Sequence, residues 1–344
     1  MDKDVLFGKT LQELKRICAD LKMPSFTATQ IAEWIYKKKT DAVGKMTNLS
    51  VENRKRLDEK FTLGYINPST GQHSADGTIK YLFPVKDLYA VETVYIPDSD
   101  RATLCVSSQV GCKMNCLFCM TGKQGFSYNL SPGEILNQIH SVPERDKLTN
   151  VVFMGMGEPM DNTDNLLTVL EIMTSSYGYA WSPKRITVST IGQLPGLKRF
   201  LEESDCHLAI SLHSPYPEER KFLMPVEKAY PITKVLELIR RYDFSHQRRV
   251  SFEYIMFHGL NDDLRHAKEL VKLLSGISCR VNLIRYHSIP GIELKSSNEE
   301  AMTVFRDYLI SKKVMCTIRT SRGEDIFAAC GMLSTMEKEK KNVI

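Results

Sequence analysis

The sequence predicts an α/β protein that is built on a full or partial (β/α) barrel and carries a small helical domain at its N-terminal end. Three observations support this prediction. The chain has 344 residues, 42% of them hydrophobic and 25% charged, which is typical of a globular protein with a sizeable core. Short apolar runs that are rich in β-branched residues alternate with helical patterns from residue 102 onward. Apolar residues recur at helical spacing in much of the segment before residue 64.

Residues 1–64 are predicted to form a helical accessory domain. Thr10 and Glu13 have the spacing of a capping box at the start of a first helix, which Pro24 ends. A second apolar stripe covers residues 28–36, and a third helix begins near residue 51 and ends near residue 61. These stripes are typical of a small helical core.

Residues 65–101 are predicted to form a linker and a β-hairpin. Residues 65–77 are rich in turn-forming residues, so we place a domain boundary at their start. Residues 79–85 and 89–96 have the composition of two antiparallel strands that a short polar turn joins.

Residues 102–333 are predicted to form the barrel, and residues 334–344 a charged tail. The predicted strands are 103–107, 150–154, 185–189, 207–211, 250–256, 280–286 and 315–319. The predicted helices are 132–141, 164–175, 195–203, 231–243, 263–274 and 299–312. In such folds the chemistry collects at the carboxyl ends of the strands, so the site is expected at that edge.

Composition and charge exclude several classes of protein. No window approaches about 18 uninterrupted apolar residues, so a membrane span is not predicted. The charged first residues do not resemble a signal peptide, and a cytoplasmic protein is expected. Nine cysteines, an odd number, argue against a disulfide framework in that compartment. The net charge is +5, and the first 85 residues carry 14 Lys and Arg against 10 Asp and Glu, which is compatible with a polyanionic partner.

Three cysteines lie within eight residues, directly after the first predicted barrel strand. Cys112, Cys116 and Cys119 have the spacing C-x3-C-x2-C, on a loop that also contains Gly111 and Asn115. Three thiolates this close suit a [4Fe–4S] cluster with one iron left open for another ligand. A zinc site that a distant His completes, or a redox pair of Cys116 and Cys119, would also use these residues.

This motif resembles that of the radical S-adenosylmethionine (SAM) superfamily, and longer segments resemble the RlmN-type methyltransferases. Those enzymes methylate the C2 carbon of adenine in 23S ribosomal RNA and in transfer RNA. The resemblance extends from the N-terminal helices to about Leu333. Its most specific parts are a Cys before the cluster motif and Ala-Ala-Cys-Gly near the end. The matching segments are RATLCVSSQVGCKMNCLFC, VVFMGMGEP, TVSTIG, SLHSPYPEER, VNLIRYH and TSRGEDIFAACG.

The resemblance implies seven SAM contacts, most of them at the ends of predicted strands. In the turn 155–159, glycine lets the backbone approach a ligand, and a carboxylate accepts hydrogen bonds from an ammonium or ribose group. An ordinary turn between strand and helix would account equally for that segment taken alone. At position 287 the family usually has Asn, which is a departure in this chain. The implied contacts are Gly157, Glu158, Ser189, Ser211, Leu212, His213 and His287.

The resemblance also implies three catalytic residues, Cys105, Cys330 and Glu92. Taken alone, Cys105 is more typical of a small buried residue on a strand, whereas Cys330 has small neighbours that leave its thiol accessible. Glu92 lies in a β-rich run, where a carboxylate usually faces solvent. The resemblance instead makes Cys330 the methylated residue, Cys105 the resolving thiol and Glu92 the base that deprotonates the adenine carbon.

The reaction that the resemblance implies uses two SAM molecules in each turnover. The first methylates Cys330, and the second, bound to the open iron, is reductively cleaved to a 5′-deoxyadenosyl radical. That radical takes hydrogen from the methyl group, and the resulting methylene radical adds to C2. Glu92 helps to remove the C2 proton, and Cys105 attacks Cys330 to release the product as a transient disulfide forms.

The implied partners follow from this reaction. They are 23S rRNA near the peptidyl-transferase region, tRNA at the adenosine 3′ of the anticodon, and an electron donor such as flavodoxin or ferredoxin. The target base must be flipped or single-stranded to enter a barrel mouth. The accessory domain is the candidate RNA contact. No membrane partner is expected, and the protein is expected to act as a monomer.

Two alternatives remain open at this point. A related C8-adenine methyltransferase that confers antibiotic resistance shares the cluster and the cysteine pair, and residues 214–216 and 284–286 look somewhat like it. Residues 320–325 resemble the C2 enzymes and favour that branch. The second alternative is a non-catalytic iron–sulfur or zinc RNA-binding protein, which metal analysis and a SAM-cleavage assay would distinguish.

Overall fold

The computed structural model describes residues 3–86, 88–244 and 248–333. The predicted charged tail at 334–344 therefore lies outside the described residues. Across the three described ranges, no helix combines the length and the apolar character that crossing a bilayer requires.

The accessory region contains the predicted helices. Its elements are β1 (Asp4–Val5), α1 (Leu11–Asp20), α2 (Thr27–Ala32) with a π-helical turn at Glu33–Lys37, α3 (Val51–Lys60) and β2 (Phe61–Thr62). The capping box is confirmed, because the Thr10 hydroxyl accepts from the Glu13 N–H and the Glu13 carboxylate accepts from the Thr10 N–H. Leu14 and Cys18 form the buried face of α1.

The predicted hairpin is present and belongs to the same sheet as the barrel strands. Its strands are β4 (Ile79–Val85) and β5 (Tyr89–Asp98), which pair antiparallel. A further antiparallel strand, β3 (Thr70–His73), pairs with β4 and was not predicted. Strand β5 also pairs antiparallel with β6 (Arg101–Cys105). The segment predicted as a linker and hairpin thus extends the barrel sheet on one side.

The remaining strands confirm the predicted β/α alternation. They are β7 (Gln109–Gly111), β8 (Phe126–Asn129), β9 (Asn150–Phe153), β10 (Ile186–Thr190), β11 (His207–Ser211), β12 (Val250–Met256), β13 (Cys279–Arg285) and β14 (Met315–Ile318). The ten-stranded sheet has the order β14-β13-β12-β11-β10-β9-β6-β5-β4-β3. Strands β6 and β9 to β14 are mutually parallel. The sheet is open in the described residues, which makes the barrel partial. The ribbon of β7 and β8 was not predicted.

The helices that connect these strands lie close to their predicted positions. They are α4 (Met120–Lys123), α5 (Pro132–His140), α6 (Thr163–Thr174), α7 (Leu194–Glu203), α8 (Pro217–Leu223), α9 (Ile232–Ile239), α10 (Leu264–Leu273) and α11 (Glu299–Ser311). The short helices α4 and α8 were not predicted. Both lie in loops at the carboxyl edge of the sheet, where the candidate site residues occur.

The accessory region packs directly on the barrel. Phe7 contacts Tyr65 edge to face, with ring centroids 4.8 Å apart, and Tyr65 stacks on His140 of α5 at 4.0 Å. The backbones also approach closely, because a Cβ built on Gly8, which has φ +90°, would lie 2.3 Å from the Gly133 nitrogen. One continuous apolar core therefore joins the two parts.

Candidate active site

A cavity at the carboxyl ends of the parallel strands contains most of the predicted site residues. It is bounded by the ends of β9, β10 and β11, by the cysteine loop and by the segment around Cys330. This is the edge of the sheet at which the fold places chemistry. The predicted residues that line it are Cys112, Cys116, Cys119, Gly157, Glu158, Ser189, Ser211, His213 and Cys330.

Backbone contacts fix the shape of the cysteine loop. The Cys112 N–H donates to the Gly125 carbonyl at 3.0 Å, and the Cys119 N–H donates to the Cys116 carbonyl at 3.2 Å. Asn115 adopts a left-handed conformation with φ +50°, which turns the chain between the first two cysteines. As a result, all three thiols line one cavity, with Cys112 and Cys116 buried and Cys119 partly buried.

Burial makes these thiols poor acids without a metal. It raises the pKa of Cys112 to about 12 and raises the pKa of Cys116 and of Cys119 above the ordinary value. A bound metal centre would displace these protons, because thiolates are its ligands. The donor set fits a soft metal centre such as iron–sulfur.

The three thiols of the cysteine loop suit a cluster of several iron ions. Within the described residues, no group of three or more His, Cys, Asp or Glu side chains could hold one metal ion. A four-iron cluster binds each thiolate at a separate iron, so its ligands need not converge on one point.

His213 is the histidine of this cavity, and its hydrogen bond argues against zinc. Its Nδ1 accepts from the Ile255 N–H at 3.0 Å, so in the neutral ring Nε2 carries the hydrogen. Burial keeps the ring neutral, since it lowers the pKa of His213 to about 3. A ring nitrogen that carries hydrogen cannot act as the fourth zinc ligand.

Glu158 links two of the loops that line the cavity. Its carboxylate accepts from the Met160 N–H at 3.0 Å and from the Ile191 N–H at 2.9 Å. Burial raises its pKa to about 7, against the effect of these hydrogen bonds. Gly157 has φ +100°, and a Cβ there would lie 2.5 Å from the Gln109 Cβ. The turn therefore requires glycine beside a fixed carboxyl group.

Leu212 and His287, the other two predicted SAM contacts, lie outside the lining of the cavity. Leu212 is fully buried, and its N–H donates to the Glu253 carbonyl at 3.0 Å. His287 is 3.1 Å from the Ser321 hydroxyl and 3.3 Å from the Glu324 carboxylate. Both ring nitrogens thus face the segment that leads to Cys330, and the role of His287 toward SAM stays a prediction.

The two distant cysteines lie near each other. Cys330 is exposed and lines the cavity, whereas Cys105 is buried at the end of β6. Burial, and next the nearby Cys330 thiol, raise the pKa of Cys105 to about 12. The Met120 N–H donates to the Gly331 carbonyl at 2.8 Å, which attaches the Cys330 segment to the cysteine loop.

The turn between β3 and β4 holds the Cys330 segment from its other side. The Asp325 carboxylate accepts from the Ser74 hydroxyl at 2.6 Å and from the Ala75 N–H at 3.1 Å. In return, the Asp76 carboxylate accepts from the Gly323 N–H at 2.9 Å. This turn lies within residues 65–77, which were predicted as a turn-rich linker, and it positions the segment that carries Cys330.

Glu92 is buried rather than facing solvent, so the usual expectation for a strand carboxylate is wrong here. It is 3% exposed, and its carboxylate lies 3.0 Å from the Lys80 Nζ. Strand pairing places Val94 opposite Cys105, and because side chains alternate along a strand, Glu92 and Cys105 share one face of the sheet. Glu92 lies outside the lining of the cavity, and its role as a base stays a prediction.

Glu253 and Arg319 also line the cavity, and neither was predicted as a site residue. The Glu253 carboxylate accepts from the Asn282 amide at 2.7 Å and the Ser251 hydroxyl at 3.0 Å, and it lies 3.3 Å from an Arg319 nitrogen. Burial alone would lower the pKa of Arg319. Attraction to Glu253, Cys330 and Cys105 outweighs burial, so the pKa is raised above its ordinary value. Glu253 could have been found in the sequence, because it is the one charged residue in the largely apolar run 250–256.

Arg220 is a third residue that was not predicted, and it contacts the backbone of two loops that line the cavity. It is fully buried, pairs with the Glu227 carboxylate, and donates to the carbonyls of Ile191 at 2.8 Å and of Ser211 at 3.1 Å. These two carbonyls lie at the ends of β10 and β11. The guanidinium therefore ties the ends of neighbouring strands together.

We expect Arg220→Leu to lower the free energy of unfolding by about 3–5 kcal/mol, because it leaves the Glu227 carboxylate buried without its cation. Chemical denaturation followed by circular dichroism measures this change. Lys221→Met is the matched control, because its exposed pair with Glu218 contributes less than about 0.5 kcal/mol. Adding Glu227→Leu to the Arg220 variant should recover part of the loss. Equal, small effects of both single variants would contradict this view of Arg220.

Comparison with known proteins agrees with these features. Residues 106–271 match the model of the radical SAM superfamily, and residues 5–63 match that of the ribosomal RNA large subunit methyltransferase N-terminal domain. The probable dual-specificity RNA methyltransferase RlmN of Parabacteroides distasonis is 64% identical over 97% of this chain and 98% of its own. The dual-specificity RNA methyltransferase RlmN of Desulfotalea psychrophila is 39% identical over 99% of this chain and 100% of its own.

A solved structure supports the same assignment at the level of the fold. The radical SAM methyltransferase from Sphaerobacter thermophilus superposes with a TM-score of 0.89 and 37% identity, over 96% of this chain and 99% of that chain. Both family models and nearly full-length relatives thus agree with the resemblance found in the sequence. The chain belongs to the RlmN family of radical SAM RNA methyltransferases.

Proposed function

We propose that this protein methylates the C2 carbon of adenine in 23S rRNA and tRNA, with SAM as the source of the methyl group. The observation that carries the proposal is the cavity itself. It brings the exposed Cys330 thiol next to the three thiols of the cysteine loop, 211 to 218 residues earlier in the chain. Relatives that cover the whole chain are described as dual-specificity RNA methyltransferases.

The chemistry explains why a cluster belongs in this cavity. Adenine C2 is electron-poor, so it does not attack the electrophilic methyl group of SAM directly. A [4Fe–4S] cluster on Cys112, Cys116 and Cys119 would supply the electron that cleaves SAM to a carbon radical. Gly157, Glu158, Ser189 and Ser211 line the same cavity, and in this proposal they bind SAM beside the cluster.

Cys330 and Cys105 have complementary roles in the proposed reaction. The exposed Cys330 thiol takes a methyl group from the first SAM, and its sulfur then carries the one-carbon unit to C2. Glu92 accepts the C2 proton. Radical addition to C2 leaves one unpaired electron, which would return to the cluster, and the Cys105 thiolate then attacks the Cys330 sulfur. A sulfur–sulfur bond forms as the bond between the Cys330 sulfur and the new carbon breaks, and that carbon takes up a proton to become the methyl group of adenine. Burial of Cys105 on β6 keeps this thiol away from solvent until the adduct forms.

The proposed partners are those that the reaction needs. The protein binds rRNA and tRNA whose target base is unstacked, and it takes electrons from a donor such as flavodoxin or ferredoxin. The helical accessory domain, residues 1–64, contributes to RNA binding. We propose that it works as a monomer in the cytoplasm, where its RNA substrates are made.

The position of the new methyl group tests this proposal. Anaerobic reaction with unmodified 23S rRNA and tRNA fragments, followed by nucleoside digestion and mass spectrometry, should give 2-methyladenosine from both. The same reaction without reductant is the control and should give none. A product that is mainly 8-methyladenosine would move the chain to the C8 branch. Zinc without iron, together with absence of SAM cleavage, would indicate a non-catalytic RNA-binding protein.

A further inference from the structure

A second cleft lies at the opposite edge of the sheet, between the accessory helices and the barrel. We call it the seam cleft. Trp181 and Arg185 come just before β10, Leu148 comes just before β9, and His140 ends α5, so all of them lie at the amino ends of the strands. The polar side chains that line the seam cleft are Lys37, Lys39, His140, Arg145, Tyr179 and Arg185, with Asp146 beside them.

The seam cleft is strongly cationic. Lys37, Lys39, Arg145 and Arg185 face a single carboxylate in the lining, Asp146, which pairs with the Lys39 Nζ at 2.5 Å. Three positive charges are therefore in excess within one small concave surface. Such a surface attracts an anion and concentrates it, because low-dielectric walls focus the field.

The two arginines of the seam cleft are held in place before any ligand binds. The Arg185 guanidinium stacks on the Trp181 ring at 4.0 Å and donates to the carbonyls of Leu148 and Thr149 at 2.7 and 2.5 Å. Arg145 donates to the His140 carbonyl at 3.2 Å. A guanidinium fixed in this way loses little side-chain entropy when it binds an anion.

Two buried polar atoms in the lining have no hydrogen-bond partner among the described residues. They are the Nδ1 of His140 and the hydroxyl of Tyr179. His140 is 4% exposed, and its ring is fixed by stacking on Tyr65. Burial, and next the charges of Arg145 and Lys39, lower its pKa to about 4, so the ring is neutral. An unpaired buried polar group is costly, and its usual explanation is a ligand or water that satisfies it.

We propose that the seam cleft binds a phosphate group of the RNA substrate. This inference rests on the proposed function for the identity of the RNA. A phosphate offers several acceptor oxygens and a negative charge, which match the Tyr179 hydroxyl, the His140 ring and the surrounding cations. The π-helical turn Glu33–Lys37, a local geometry that is frequent at functional sites, carries Lys37 into the cleft.

A polyanion fits this surface better than a free phosphate does. A neighbouring cleft shares Lys39, His140, Arg145 and Asp146 with the seam cleft and continues past Lys38 and Lys45 along the accessory helices. Lys38 pairs with Glu33 and Lys45 with Asp41, so these two lysines extend the polar surface without adding net charge. The Lys38 Nζ lies 4.0 Å from the centre of the Trp34 ring in that cleft. The surface of basic and aromatic side chains is therefore longer than one phosphate, as a nucleic-acid backbone requires.

The distance between the seam cleft and the active-site cavity indicates which part of the RNA would bind in the cleft. Strands β9 and β10 have four and five residues, and at about 3.3 Å per residue they separate the two edges by roughly 13–17 Å. The bound phosphate therefore belongs to a stretch of RNA several nucleotides from the methylated adenine. A short hairpin with only the target loop should miss this contact, whereas a full tRNA should make it.

Tyr179→Phe tests the proposal without changing charge. We expect it to weaken the affinity of the anaerobic holoenzyme for an unmodified full-length tRNA transcript by about tenfold in fluorescence anisotropy, because it removes a donor to the phosphate. The free energy of unfolding should be unchanged or higher, since the removed hydroxyl has no partner in the described protein. Tyr177→Phe is the matched control, because that hydroxyl binds Glu171 at 2.8 Å outside the cleft.

Lys37→Gln tests whether the positive charge of the seam cleft contributes to RNA binding. The slope of log affinity against log salt should fall by about 0.7–0.9, which is the change expected when one phosphate is no longer neutralised by a cation. Lys268→Gln removes the same charge from an exposed position of α10 and should leave the slope unchanged. For both cleft variants the KM for tRNA should rise, while kcat at saturating tRNA and SAM cleavage stay at the wild-type level.

The outcomes separate this inference from its alternatives. Wild-type affinity for tRNA in both cleft variants would overturn it. Pyrophosphate binding by calorimetry that Tyr179→Phe abolishes, with tRNA affinity unchanged, would also overturn it, in favour of a free phosphate ligand. If the variants weaken tRNA binding but the wild-type holoenzyme makes no 2-methyladenosine, the proposed function fails and the seam-cleft site stands.

Discussion

Replacing any one of Cys112, Cys116 and Cys119 by Ala is expected to abolish SAM cleavage and leave RNA binding largely intact. The three thiols line one cavity, and they are the protein ligands that the proposed cluster would use. Each variant would thus leave two protein ligands, too few to hold the cluster in the geometry that the reaction needs. Production of 5′-deoxyadenosine measures the cleavage, and fluorescence anisotropy with tRNA measures the binding.

The wild-type protein, purified without oxygen, should be brown and contain about four irons per chain. Cys316→Ala is the matched control, because Cys316 is also buried but lies on β14, in the apolar core. It should keep both the iron and the cleavage activity. A colourless wild-type protein that holds only zinc and still methylates RNA would refute the cluster.

Local sequence patterns predicted the parts of this fold that depend on neighbouring residues. The strand His207–Ser211 was predicted at its observed bounds, because a short apolar run between turn residues is typical of a strand buried in a parallel sheet. The cysteine loop could be predicted in the same way, since its three candidate ligands lie within eight residues. Family resemblance supplied the roles of Cys105, Cys330 and Glu92, which the residues alone did not.

Contacts between distant segments could not be predicted. The hydrogen bond from Ser74 to Asp325 joins residues 251 positions apart, and nothing in either segment indicates the other. The burial of Glu92 next to Lys80 depends on the register of β4 and β5, which a one-residue shift would reverse. The seam cleft likewise arises only when Lys37 and Lys39 meet the amino ends of barrel strands.

Replacing Cys105 by Ala is expected to trap the protein on its RNA. Cys105 and Cys330 lie 225 positions apart in sequence. The structure nevertheless brings them near enough for the Cys330 thiol to raise the pKa of Cys105. Without the Cys105 thiol, Cys330 can still deliver its carbon to adenine, but no group remains to attack the Cys330 sulfur. The protein should therefore accumulate as a covalent adduct, visible on a denaturing gel as a slow band that nuclease removes.

Two further variants test whether the covalent adduct is specific to the loss of Cys105. Cys330→Ala should form neither adduct nor product while keeping its cluster, because it removes only the sulfur that carries the carbon. Cys206→Ala, which removes another buried cysteine, should turn over like the wild type. The disulfide of the proposed reaction also requires the Cα atoms of Cys105 and Cys330 to approach within about 7 Å. If Cys105→Ala instead releases free methylated RNA at the normal rate, Cys105 is a buried strand residue and nothing more, and another group must release the product.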